Sequence, residues 1–158
     1  MSRRIDSDGF GFLITDIAQL VRCEMDRRSG EAGIELTPGE RRTLAHAARA
    51  GAVRQNVLAE RMGLEAMTLS TYLDRLEARG LVERQADPTD RRAKIVRLTR
   101  LADDLLAMIE PVGETIRDDA ARGIPDGDWK RLLELLRQVR ENLSASKPGT
   151  ARGEKTAA

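Results

Sequence analysis

The chain has 158 residues, 41% of them hydrophobic and 3% aromatic, enough for one domain or one domain with an appended interaction element. Its 27 Lys and Arg against 26 Asp and Glu leave a net charge of +1, which argues against a generally basic nucleic-acid binder, and so few aromatics argue against a base-stacking platform for single strands. No apolar run reaches the ~18 residues of a membrane span, the opening MSRRIDSDGF has no secretory apolar core, and a lone cysteine, Cys23, allows no internal disulfide and suits a reducing cytoplasm.

In chain order, Phe10, Leu13, Ile14, Ile17, Leu20, Val21 and Met25 recur at three- and four-residue steps and predict an amphipathic helix over 8–29, closed by Gly30 and Gly33. Thr37-Pro38-Gly39-Glu40 is a capping signature: threonine at the cap, proline in the first turn, and a glutamate placed to bond back. A second helix follows to Ala50, with Leu44, Ala47 and Ala48 inward and Gly51 as its stop. Residues 54–63 form a short helix ended by Gly63, and another runs from Glu65 to Arg79, stopped by Gly80. Two short helices joined by a glycine turn make a helix-turn-helix.

Residues 81–84 and 93–98 alternate and are partly β-branched, as strands are. Between them lies the polar turn Asp87-Pro88-Thr89-Asp90-Arg91-Arg92, so a hairpin with a charged tip, a wing, follows the helix-turn-helix. Helical periodicity returns after Thr99 with Leu101, Leu105, Met108, Ile109, Val112 and Ile116, and Pro111 is expected to kink that helix. Pro125-Asp126-Gly127-Asp128 opens a last helix carrying Trp129, Leu132, Leu133, Leu136, Val139 and Leu143.

The expected fold is therefore mainly α (α+β). It comprises dimerisation helices at 8–33 and 100–144, a winged helix-turn-helix at 36–99, and a polar, disordered tail at 145–158. A winged helix closes its core with about three helices and the hairpin, so the surplus apolar stripes predict an intertwined homodimer. Charge follows this division: residues 54–100 hold ten basic residues against seven acidic, concentrating positive charge in the winged segment.

On a helical wheel of Glu65–Arg79, Leu69, Tyr72, Leu73 and Leu76 pack inward. Met67, Thr68, Thr71, Asp74, Arg75 and Ala78 face out, with Ser70 at the boundary. In a helix-turn-helix the N-terminal part of that outer face meets base edges in the major groove, where Thr and Ser donate or accept and a methyl can touch thymine. Arg75, further along, suits phosphate. Arg91 and Arg92 at the wing tip suit a narrow A·T-rich minor groove. Arg54, Gln55 and Lys94 are candidates for the DNA backbone.

The series Leu76-Glu77-Ala78-Arg79-Gly80-Leu81-Val82-Glu83-Arg84, then Asp87-Pro88-Thr89-Asp90-Arg91-Arg92, then Val96-Arg97-Leu98-Thr99 resembles the MarR family of bacterial regulators, over Leu36 to about Ala102. Thr68-Leu69-Ser70 and Leu73-Asp74-Arg75-Leu76 look like its recognition helix. The chain departs from the family at Thr71, where a basic residue is frequent, and at Ala102, where glycine is. The resemblance implies a triangular dimer with the first and last two helices intertwined, Arg92 as the minor-groove insert, and Asp90 holding it through an ion pair.

It also implies a repressor on a pseudo-palindromic double-stranded operator, released by a small phenolic or aromatic-acid effector bound among the first, second and fifth helices. Phe12, Arg42 and His46 are the candidate contacts. Cys23, beside Val21 and Met25, reads as a buried structural thiol, with redox sensing as the alternative. No metal-ligand cluster, phosphate loop or nucleophile constellation points to an enzyme, a metal or a cofactor. A winged-helix module that binds protein rather than an operator is the competing reading.

Overall fold

A computed structural model describes residues 8–146. In chain order the elements are α1 (Phe10–Glu31), α2 (Pro38–Ala50), β1 (Val53–Arg54), α3 (Gln55–Met62), α4 (Ala66–Ala78), β2 (Val82–Ala86), β3 (Lys94–Leu98), α5 (Arg100–Ala121) and α6 (Asp126–Ala145). The chain divides into two compact units after Ile116. Among the described residues, no helix is long and apolar enough to cross a membrane.

Local chemistry sets the element ends in the first unit. Glu40 N–H donates to Thr37 Oγ1 at 3.3 Å and Thr37 N–H donates to Glu40 Oε2 at 2.9 Å, so both halves of the capping box hold the start of α2. Gly63 ends α3 in the left-handed region at φ 63°, where a side chain would be strained, and Leu64 N–H then closes on Ala59 O at 3.0 Å. The core comprises Leu44 of α2, Leu58 of α3, Leu69, Leu73 and Leu76 of α4, and Val96 of β3, all fully buried. The three- and four-residue spacing of the α4 leucines presses one face of that helix onto the core and leaves the other to solvent.

Several expectations need correction. The sheet has three strands, ordered β1-β3-β2, because Val53 and Arg54 pair with Val96 and Ile95 on the far side of β3. The first helix runs past Gly30 to Glu31, and Ala48 of α2 is exposed rather than inward. On α5, Ala102, Ile109, Val112 and Ile116 are buried, whereas Leu101 and Met108 of the predicted stripe lie exposed. That helix runs on through Pro111 without a break in its assignment.

In the second unit Gly123, at φ 79°, forms the turn before Pro125, and α6 follows. No residue of α6 is buried, and Leu132, Leu135, Leu136 and Leu143 are exposed. The helix continues to Ala145, one residue into the expected tail; residues 147–158 of that tail lie outside the described residues.

Candidate nucleic-acid interface

Helix α4 is held at its middle and near its C-terminal end. At its middle, Tyr72 lies against Gly39 in the first turn of α2 so closely that a Cβ at 39 would sit 2.3 Å from the ring Cζ. One turn on, Arg75 places Nη1 3.7 Å from Oε1 of the buried Glu40. Near its C-terminus, the guanidinium of Arg84 on β2 reaches Asp74 Oδ1 at 2.6 Å and donates twice more to Glu77, while Arg84 N–H donates to Glu77 Oε1 at 3.1 Å. These bonds from Arg84 hold the Glu77 carboxyl below its ordinary range, and Glu77 in turn raises Arg84. The outer face of α4 is thereby fixed relative to the hairpin.

Met67, Thr71, Asp74, Arg75 and Ala78 are exposed on that face and Ser70 is half-buried, as the wheel predicts, whereas Thr68, expected to face out, is half-buried as well. Met67 stands out at 81% exposure. Thr71 Oγ1 donates to Met67 O at 3.1 Å.

The wing tip is built by its aspartates. Asp87 is buried, and its Oδ1 accepts from both Thr89 N–H and Thr89 Oγ1 at 2.7 Å, an Asx turn. Its Oδ2 accepts from Arg54 Nε at 2.6 Å, while Arg54 Nη2 donates to Thr89 Oγ1 at 3.0 Å. The bonds from Thr89 and then Arg54 hold the Asp87 carboxyl far below the usual carboxylate range. Asp90 Oδ1 accepts from Arg92 N–H at 3.0 Å, a second Asx turn, and backbone bonds from Asp87 N–H to Ala93 O and from Ala93 N–H to Asp90 O close the loop.

Two sequence expectations change here. Asp90 grips the backbone of Arg92, not its guanidinium, so the tip is oriented through the main chain and both Arg91 and Arg92 side chains stay exposed without an ion pair among the described residues. Arg54, expected at the DNA backbone, bonds Asp87 through Nε and Thr89 through Nη2 and buttresses the wing from β1 while its side chain stays partly exposed.

A cleft of about 400 Å³ between the wing, the start of α3 and the start of α4 gathers Gln55, Asn56, Ala66, Asp90, Arg92, Ala93 and Lys94. It brings together four of the residues singled out from sequence. Asn56, next to Gln55 in the first turn of α3, lines the same cleft.

The effector candidates separate. A second cleft, of about 620 Å³, lies between α1, α2 and the α3–α4 turn, lined by Ala18, Val21, Arg22, Arg42, His46, Met62 and Leu64. Arg42 and His46 meet there, joined by Arg22; Phe12 is not among its lining residues, lies exposed on α1, and α5 contributes nothing to it. Burial first, then Arg49 and Arg42, keeps the His46 pKa below its ordinary value. Cys23, expected to be buried, is exposed on α1. The same helix is tied to α2 by Asp26, whose carboxylate accepts from the buried Arg41.

The helix pair α3–α4 followed by the β2–β3 hairpin is the arrangement of a winged helix-turn-helix, the class of DNA-binding transcription regulators. The MarR family profile matches residues 36–94. Transcriptional regulator PA3341 is 36% identical, over 87% of this chain and 99% of its own, with a TM-score of 0.72. A MarR-family transcriptional regulator from Rhodococcus sp. RHA1 is 27% identical over 87% and 96%, with a TM-score of 0.72. BpsR of Bordetella bronchiseptica shares the fold at 22% identity over 89% and 99%, with a TM-score of 0.69. The chain belongs to the MarR family.

Proposed function

We propose that the protein is a homodimeric repressor that grips a pseudo-palindromic operator and lets go when a small aromatic acid binds. The observation that carries the DNA contact is the wing tip: two Asx turns hold its backbone while Arg91 and Arg92 remain free to enter a minor groove. Met67, Thr68, Ser70 and Thr71 face the major groove, and Gln55, Lys94 and Arg75 meet phosphates.

Dimerisation is supported by apolar surface with no cover in one protomer. Phe10, Leu13, Ile14, Ile17 and Leu20 are exposed along α1, and no residue of α6 is fully buried. A two-fold partner covers such stripes and sets two wings about one helical turn of DNA apart.

The α1–α2 cleft is the effector site in this reading. Arg22 and Arg42 offer a carboxylate two cations, Val21, Met62 and Leu64 offer a ring an apolar wall, and His46, uncharged at neutral pH, serves a hydroxyl. In the fold relative BpsR, DNA binding is regulated by 6-hydroxynicotinic acid, an aromatic acid. Release then follows from unequal affinity of the acid for DNA-competent and incompetent arrangements of the lobes.

Footprinting on the DNA flanking the protein's own gene tests the first part. A protected pseudo-palindrome, weakened in Arg92→Ala with a shallower salt dependence, is the expected result. DNA binding that is absent or indifferent to the change would favour the protein-binding reading. Titrating the complex with a panel of aromatic acids tests the second; no release by any of them removes the effector site, and Arg42→Ala is expected to blunt any release observed.

A further inference from the structure

Resting on the DNA-binding reading above, we propose that the recognition helix selects thymine by its 5-methyl group, with Met67 as the reading residue and Thr71 beside it. Met67 is the second residue of α4 and, at 81%, the most exposed large hydrophobic side chain among the described residues. A flexible, polarisable thioether so placed gains no packing within the protomer. One turn on, Thr71 has committed its only hydroxyl proton to Met67 O. While that bond is kept, Thr71 has its methyl group and a hydroxyl lone pair left for a base, and it can donate to one only by giving the bond up.

The neighbouring side chains narrow the choice. Residues 66–74 include no Arg, Lys, Asn or Gln, the side chains that form paired bonds with guanine or adenine edges. Arg75, next along the outer face, has the buried Glu40 carboxylate 3.7 Å away, and Asp74 is engaged by Arg84. The exposed positions of the first two turns are Ala66, Met67 and Thr71, with the hydroxyls of Thr68 and Ser70 half-buried beside them, so Met67 is the one large apolar side chain that stands out there. The apolar feature that a base pair shows in the major groove is the thymine methyl.

The test uses the full-length protein and the duplex it binds best from a random library. Each thymine is replaced in turn by deoxyuridine, which deletes one methyl in the major groove and leaves the minor-groove edge read by the wing unchanged. At one symmetry-related thymine in each half-site the loss is expected to weaken binding by ~4-fold, the worth of one buried carbon. Met67→Ala should bind the thymine and uracil duplexes alike, while Met67→Leu keeps the difference. Because Met67 is exposed, neither variant threatens folding. If wild type ignores every replacement, or Met67→Ala still discriminates as wild type does, methyl reading is wrong although DNA binding stands. If no duplex is selected, the DNA-binding reading falls and methyl reading with it.

Discussion

Gly39 and Tyr72 meet at the junction of α2 and α4: a single added carbon at 39 would overlap the ring carbons Cζ and Cε1 and the hydroxyl oxygen of Tyr72. Alanine normally favours a helix over glycine by ~1 kcal/mol, but here the ring must swing away. Gly39→Ala is expected to destabilise the protein by about 1–3 kcal/mol in chemical denaturation. In a Tyr72→Leu background the same change should cost less, and that non-additivity is the signature of the contact. Additive costs would show the two positions to be independent.

Removing Asp26 leaves a guanidinium stranded. Arg41 is 4% exposed and its partner Asp26 about a third exposed, so the pair sits at the edge of the interior. Asp26→Ala is expected to cost about 2 kcal/mol, below the full penalty for a buried unpaired charge because water reaches one side. Replacing Arg41 by methionine as well should recover part of the loss in the same unfolding experiment.

The wing should loosen without the domain unfolding when Asp87 goes. Asp87→Ala removes the acceptor for Thr89 and Arg54 together, and the expected result is faster hydrogen exchange at the Thr89 and Ala93 amides with α4 protection retained. Operator affinity, where measured, should fall along with it. Unchanged exchange at 89–93 would mean that the backbone closure alone holds the loop.

Acid should release α4 from the hairpin. Glu77 is depressed by its bonds from Arg84, so its folded pKa lies below its unfolded one. Its contribution is therefore complete above the unfolded value near ~4.3 and lost as pH falls through the folded value. Asp87, depressed by Thr89 and Arg54, acts in the same direction further into acid. Glu77→Gln is expected to flatten the decline of stability between roughly pH 5 and pH 3; an unchanged slope would assign the decline to other carboxylates.

Ile17→Glu on α1, or Leu132→Glu on α6, places a charge on surfaces that the proposed dimer covers. Light scattering is expected to show monomers for either variant, with helical content kept because both side chains are exposed in the protomer. A dimer that tolerates both charges would put the two-fold interface elsewhere.

Much of this architecture is local and was legible for that reason. Thr37 and Glu40 are three residues apart, Gly63 and Gly80 stop helices by their own conformational freedom, and the α4 leucines repeat at helical spacing. What escaped depends on partners distant in sequence. Arg54 reads as a phosphate ligand until Asp87, 33 residues on, is seen to hold it, and β1 is two residues long, too short for any periodicity. The periodicity of α1 shows its apolar character but not which part of it meets its own chain, so the exposure of Cys23 in the protomer is not legible from it. For Asp90 the short spacing to Arg92 was right and the atom wrong, since an aspartate two residues back reaches a backbone N–H more readily than a long guanidinium.

Residues 39, 40 and 41 each answer to a different distant side chain: Tyr72, Arg75 and Asp26. Three adjacent codons thus specify how one short turn fits two other helices, which limits how the protein can be recombined. A chimera that imports α1 from a relative must bring a carboxylate at position 26 or leave Arg41 uncompensated. One that imports α4 must bring a side chain at 72 that tolerates bare backbone at 39. Grafting the wing carries its own conditions: Arg54, Asp87 and Thr89 must travel together, and Arg84 must still meet Asp74 and Glu77 of α4.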